Sequence, residues 1–187
     1  MATTSYKVSG AQASVDRGTT PTWGSLTNLG SSNNAYATVS TSPGNNTDYL
    51  RLTSFGFTTS DIPANSRIDG IEVSIECKAS AFRTVYDETV KLRKTSGQVG
   101  DNKAVTTWGS ADSTVVYGSS SDLWGTTWTA DDIYSSDFGV DFAVNQDAGD
   151  SGGAVTSVDI IQIRVTYTPG KGFPFRNQSK LRTSLRR

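Results

Sequence analysis

The 187-residue chain contains no histidine, one cysteine, one methionine and five prolines. Each scarcity removes a class of chemistry. Without imidazole there is no triad of the serine-protease kind. General acid–base work would fall to carboxylates, lysine or tyrosine, and no paired constellation of these stands out. The lone Cys77 can close no internal disulfide, and one thiolate without imidazole builds no thiolate–imidazole metal centre. Long apolar runs are missing too. No segment approaches the length of a membrane span, and the opening "MATTSYKVSGAQAS" has neither the basic start nor the apolar run of a secretory signal. The expectation is a non-enzymatic protein made in a cytoplasm, with no cofactor, no bound metal and no membrane partner.

One short motif argues the other way. Gly149-Asp150-Ser151-Gly152-Gly153 spells the nucleophile loop of chymotrypsin-like proteases. A serine hydroxyl is a weak nucleophile until a base takes its proton, and the base used in that family does not occur in this chain. The residues suit a surface turn instead, because glycine accepts positive φ and Asp and Ser bond their own backbone. The same loop offers Asn145, Asp147 and Asp150 as oxygen ligands for calcium, but its spacing does not match an EF-hand loop. A polar turn is the better reading there as well.

What is present is a β-forming composition. Usage is skewed toward Thr, Ser, Val, Gly, Asn and Asp, and β-branched and aromatic runs bounded by turn residues predict strands at 35–41, 48–57, 66–80, 87–95, 113–118, 137–146 and 157–168. Weaker strands are expected around Val8 and Val15. Within 66–80, Ile71, Val73, Ile75 and Cys77 share one face opposite Glu72, Ser74, Glu76 and Lys78, so Cys77 is expected to be buried. Within 157–168, Ile161, Ile163, Val165 and Tyr167 should face the core, and Val158, Ile160, Gln162, Arg164 and Thr166 the other side. Sheets with one wet face belong to antiparallel sandwiches. The predicted fold is therefore all-β: an antiparallel two-sheet, jelly-roll-like β-sandwich with extended terminal arms.

One helical turn is expected at "TADDIYSSDF", capped by Thr129 with Asp131 and Asp132 in its first turn. Adjacent carboxylates seldom face each other across a cleft, so this pair is not read as a glycosidase site. The tryptophans are Trp23, Trp108, Trp124 and Trp128. Trp124 and Trp128 are candidate interface aromatics, four residues apart around a glycine in a loop suited to folding over a sheet edge. Core or interface packing is favoured over stacking on a sugar ring.

Charge is unevenly spread. The net value is −1, but residues 1–168 carry 11 basic against 18 acidic residues, a net of −7, while 169–187 carry six basic residues and no acidic one. The chain divides accordingly into an N-terminal arm or edge strands (1–22), a sandwich (23–168) and a basic C-terminal arm (169–187). In that arm Lys171, Arg176, Lys180, Arg182, Arg186 and Arg187 alternate with Phe173, Phe175, Leu181 and Leu185. Such a segment is too short and charged to build its own core. It is read as a partner-binding element, with aromatic and aliphatic anchors and arginines that pair carboxylates. A neighbouring protein subunit is the expected partner. Nucleic acid comes second, because basic–aromatic interleaving also suits bases and phosphates.

The stretches "WGSLTNLGSSNNAYATV" (23–39), "YLRLTSFGF" (49–57), "IPANSRIDGIEVSIE" (62–76), "DLWGTTWTADDI" (122–133), "FGVDFAV" (138–144) and the closing "VDIIQIRVTYT" together resemble a type of β-rich structural protein of tailed bacteriophages. The likeness is one of rhythm and order across most of 23–168, and none of these stretches is a catalytic signature. It implies a virion component, assembled in the host cytoplasm. The expected role is a capsid decoration or cement protein that bridges subunits of the major capsid protein through its terminal arms, as a trimer or dimer. Alternatives are a neck, collar or tail-attached protein, or a glycan-binding adhesin module using Trp124, Trp128 or Tyr134.

Overall fold

In the computed structural model, residues 1–18 and 21–170 are described; Thr19, Thr20 and 171–187 lie outside this set. The twelve strands are β1 (Ala2–Thr3), β2 (Lys7–Val8), β3 (Ala11–Val15), β4 (Ala37–Thr41), β5 (Tyr49–Thr53), β6 (Arg67–Ala79), β7 (Val85–Lys94), β8 (Gly97–Val99), β9 (Thr107–Trp108), β10 (Ser113–Gly118), β11 (Gly139–Gln146) and β12 (Ala154–Thr168). A 3-10 turn spans Leu26–Gly30, and the helical turn α1 spans Ala130–Tyr134.

The strands form two antiparallel sheets. The first runs β1-β12-β6-β10, with β2 and β4 also on β12; the second runs β3-β5-β11-β7-β8, with β9 on β7. Their inner faces meet in one hydrophobic core. Ile71, Val73, Ile75, Cys77, Ile161, Ile163 and Val165 come from one sheet, and Leu50, Leu52, Val90, Leu92, Val140 and Phe142 from the other. This is the predicted two-sheet sandwich. Cys77 is completely buried, and that burial pushes its thiol well above its ordinary pKa.

The alternation within β12 departs from the reading of the sequence in one respect. Val158 lies in the core rather than on the opposite face. Register against β6 shifts between Val158 and Ile160, so the extra residue Asp159 lets Val158 and Ile161, three apart, point the same way. β6 repeats the device at Asp69, which brings Ile68 into phase with Ile71. Both bulged carboxylates are bonded. Asp159 accepts from the amides of Asn33 and Asn34 at 3.1 and 3.0 Å, and Asp69 accepts from Arg67 Nε at 2.7 Å and Thr168 Oγ1 at 2.6 Å.

The N-terminal residues are spread across both sheets. β1 and β2 lie along β12, while β3 pairs β5. On the opposite side of the core, Tyr117 of β10 reaches across to β7 and donates to Asp87 at 2.7 Å. Asp87 also accepts from the amides of Val105 and Thr106. Burial, and then the Asp87 carboxylate, push the Tyr117 phenol far above its ordinary value.

Two aromatic hubs sit at β11. Phe142 is fully buried and meets Trp23 at 6.1 Å and Trp108 edge-on at 6.3 Å. Phe138, just before the strand, meets Phe55, Phe57 and Trp128 at 6.3, 5.9 and 5.5 Å. Edge-to-face geometry adds to the burial of each ring. Replacing Phe142 by alanine is expected to cost about 4 kcal/mol of stability, the typical loss for an aromatic cavity that cannot collapse. Urea unfolding with an unchanged m-value would measure it; a loss under about 1 kcal/mol would contradict the packing described.

Candidate functional surfaces

Two surfaces are left once the core has taken its residues. The first is the outer face of the second sheet. β11 turns Gly139, Asp141, Ala143 and Asn145 outward. At Gly139 a Cβ would stand 1.9 Å from the Leu52 carbonyl oxygen, so β11 lies directly against the β5 backbone there. Arg51 from β5 clamps Asp141 with Nε and Nη2 at 2.8 and 3.1 Å. From the other side come Arg93 Nη1 of β7 at 3.1 Å and the Gln98 amide of β8 at 2.8 Å. The carboxylate is 0% exposed although it points away from the core. Two cations and an amide replace the water it loses.

One row further along, Arg17 stacks over the Tyr49 ring at 4.3 Å and grips Glu88 with both terminal nitrogens at 2.7 and 3.2 Å. Thr89 donates to the same carboxylate. Burial alone would raise the Glu88 pKa, but the bonds from Arg17 and Thr89 outweigh it and hold the group below its usual range. At the sheet edge, Tyr86, Glu88, Asn102, Val105 and Thr107 line a shallow cleft of about 470 Å³, and Val105 is 85% exposed.

The second surface is the end of the sandwich where the chain both starts and leaves. Ala2 pairs with Tyr167 and Thr3 with Thr166, so the N-terminus lies beside the last turn of the path into the C-terminal segment. At Gly170 a Cβ would stand 2.4 Å from the carbonyl oxygen of Asn65. Only glycine lets the backbone approach that closely. Beside Asn65 opens a groove of about 410 Å³, walled by Ala64, Ser66, Trp128, Ala130 and Asp131.

The candidate residues from the sequence fall as follows. Lys171, Phe173, Phe175, Arg176, Lys180, Leu181, Arg182, Leu185, Arg186 and Arg187 lie outside the described residues. Trp124 and Trp128 are core residues, which removes them as free surface aromatics. Trp124 is 0% exposed and donates its Nε1–H to the Ile71 carbonyl at 2.9 Å. Its backbone has φ +58° and is held by the Asp122 carboxylate, which accepts its amide at 2.7 Å. Gly118, at φ +78°, has no space for a Cβ between the Trp124 indole and Ile71. Trp128 is 7% exposed. Phe138 meets its ring edge-on and Lys94 lies over it at 4.7 Å, which leaves no open face for a sugar. Tyr134 is half-buried and donates to the Ile62 carbonyl.

Ser151 is exposed in the β11–β12 turn, where Gly152 has φ +105°. The neighbouring carboxylates serve that turn: Asp147 accepts from the Gly149 amide at 2.7 Å, and Asp150 from the Thr84 amide at 2.8 Å. Among the described residues no three His, Cys, Asp or Glu side chains converge as a metal site would require. Thr129 caps the turn as expected, and Asp132 adds the reciprocal bond of a capping box and pairs Lys94 at 2.9 Å. The Asp141 clamp was not foreseen. Its signal in the sequence is an aspartate amid the apolar residues of "FGVDFAV", with an arginine in each of "YLRLT" and "KLRKT".

No family model matches this chain, and neither does any curated protein. Among solved structures, a CBM4 structure is 14% identical with a TM-score of 0.41, covering 87% of this chain and 94% of the other. The CBM22-1 xylan-binding domain from Paenibacillus barcinonensis Xyn10C is 13% identical with a TM-score of 0.39, covering 89% and 94%. SGBP-B from a complex xyloglucan utilization locus in Bacteroides uniformis is 15% identical with a TM-score of 0.37, covering 88% of this chain and 47% of the other.

The carboxylates predict the acid response. Glu88, Asp122 and Asp132 are all held below their ordinary values because bonds from cations and donors outweigh burial. The unfolded chain therefore takes up protons first, so the stabilisation is complete above about pH 5 and is lost as pH falls through the lower folded values. The thermal midpoint should be flat from pH 7 to about 5 and fall below about 4. Arg17→Met should flatten part of that fall. An unchanged pH profile in this variant would show that the Arg17–Glu88 pair contributes nothing.

Proposed function

We propose that the chain is a non-enzymatic structural component of a bacteriophage virion, a decoration or cement protein that joins subunits of the shell through its C-terminal arm. The observation that carries this reading is the way the arm is mounted. It follows directly on a 15-residue strand paired along its length with β6, at an end of the body where the N-terminal strand is also bound. A net charge of −7 on residues 1–168 faces six basic residues and no acidic one beyond them. The body stays apart from its neighbours while the arm seeks acidic partners. Bridging is assigned to this arm alone, because β1, β2 and β3 are paired within the sandwich. The partner is the major capsid protein or another virion subunit, and copies of this chain associating as a trimer or dimer multiply the arms that act together. A neck or collar position uses the same arm at low copy number.

A second reading, a glycan-binding module, is favoured by the cleft beside Tyr86. There an aromatic ring, the Asn102 and Thr107 side chains and the exposed Val105 share one opening. Binding of a polysaccharide that is abolished in Tyr86→Ala would establish it, and a blank glycan array would remove it.

The shell reading makes a quantitative prediction. In purified virions the protein should stand in a simple ratio to the major shell subunit by mass spectrometry. A chain ending at Gly170 should keep the melting temperature of the full chain and lose shell binding at least tenfold. A copy number of a dozen or fewer would move the protein to the neck or tail, and undiminished binding by the shortened chain would end the arm's assigned role.

A further inference from the structure

We propose that β10 is the seam of a two-fold dimer, in which a second copy of the chain lays its own β10 antiparallel alongside and continues the first sheet from one body into the other. This rests on the reading above only in that copies associate, and it gives that association a surface and a symmetry.

The backbone of β10 is only half used. The strand stands at the end of the first sheet and, among the described residues, pairs with β6 alone. The direction of its polar groups follows from β6. Ile71 turns its backbone to this side, bonding the Asp122 carbonyl at 3.0 Å and the Trp124 Nε1–H at 2.9 Å, and Ala79 does the same toward the Gly109 carbonyl at 2.8 Å. Bonded positions alternate along an antiparallel pair, so Val73, Ile75 and Cys77 point this way too and bond their partners Tyr117, Val115 and Ser113. Thr114 and Val116 therefore turn N–H and C=O away from the sheet, and no other hydrogen bond takes them up among the described residues.

The other sheet edges are short or covered. β4 is bridged from outside by Gly24 at Thr38, Ser14 of β3 accepts the Trp23 amide, and β1, β2, β8 and β9 have two or three residues each. β10 has six residues, with no charge and no proline, so it carries none of the devices that usually blunt an edge. Thr114 is exposed and Val116 is 48% exposed.

What fits this edge is a strand of the same kind. Gly118 leaves the extended course at φ +78°, so the usable outward groups are those of Thr114 and Val116. A two-fold axis at Val115 sets Thr114 of each copy opposite Val116 of the other, and each pair exchanges both of its bonds. The same register packs β-branched side chains against each other across the seam. Charge selects this place for the approach. The body carries −7 over residues 1–168, yet 113–121 contain no charged residue, and like-charged bodies meet there without facing charge on charge. The adjoining Asp112 is already paired with Lys78 at 3.1 Å and accepts the Tyr36 hydroxyl at 2.9 Å.

Sedimentation velocity of the full chain from about 1 to about 100 µM should show a monomer–dimer equilibrium. Val116→Pro deletes one outward N–H and no bond to β6, so the monomer should keep its fold, which circular dichroism checks, while the dimer weakens about tenfold or more. Register has a readout of its own. The two Val115 residues form the non-bonded pair on the axis, with Cα atoms about 4.5 Å apart, inside the range of about 4.4–6.8 Å that a disulfide spans. Val115→Cys should give a covalent dimer under mild oxidation and Val116→Cys should not; the native Cys77 is buried and does not compete. A wild-type chain that stays monomeric at about 100 µM, a trimer, a dimer untouched by Val116→Pro, or cross-linking at 116 in preference to 115 would each overturn the inference. Shell binding is read separately. A dimer that binds no shell would remove the virion role and leave the seam standing.

Discussion

β11 must be satisfied on both of its faces, and the rest of the sandwich is arranged around that constraint. Inward, Phe142 and the preceding Phe138 gather three of the four tryptophans and two further phenylalanines into two aromatic clusters. Outward, the strand places a carboxylate where an ordinary wet sheet face would have water, and Arg51, Arg93 and Gln98 close over it. The two sides are of unequal kind. The aromatic side supplies most of the driving force through buried apolar area. The ionic side fixes which strands flank β11, because a buried carboxylate without both arginines would be costly. β5, β7 and β8 are thereby tied to their places by one residue.

The legible part of the fold was its alternation. The central strands at 66–80 and 157–168 were visible because apolar residues recur every second position over long stretches. The sequence also showed the turn capped by Thr129, since a capping residue is followed there by carboxylates that favour the exposed amides of a first turn. The phase error at Val158 came from a bulge, which no period-two pattern contains. In hindsight an aspartate interrupts the apolar run at both bulges, Asp69 and Asp159. The short strands β8 and β9 were missed because two or three residues carry no periodicity, and they exist only through pairing with β7.

The sites were harder to read than the strands, for a related reason. A tryptophan's neighbours are set by tertiary contacts, so "DLWGTTW" gave no indication that Lys94 and Phe138 would close over Trp128. The Asp141 clamp joins residues 51, 93, 98 and 141, and only the strand order brings them together. Charge asymmetry, by contrast, needs no contacts to be seen. An acidic body with a basic end was evident from composition, and the fold adds where that end is mounted.

β12 can also be considered as a load-bearing member. A pull applied at Thr168 along the axis of β12 runs parallel to the strand's length. Twelve of its residues have partners on β6, and the ladder bonds between them lie across the direction of pull. The tension is therefore shared by all of them in shear, whereas a pull across the ladder would break them one after another like a zipper. The two bulges at Asp69 and Asp159 interrupt that ladder locally, and each bulged carboxylate is held by hydrogen bonds of its own. A tether joined at this point can transmit force into the centre of the sandwich without peeling an edge.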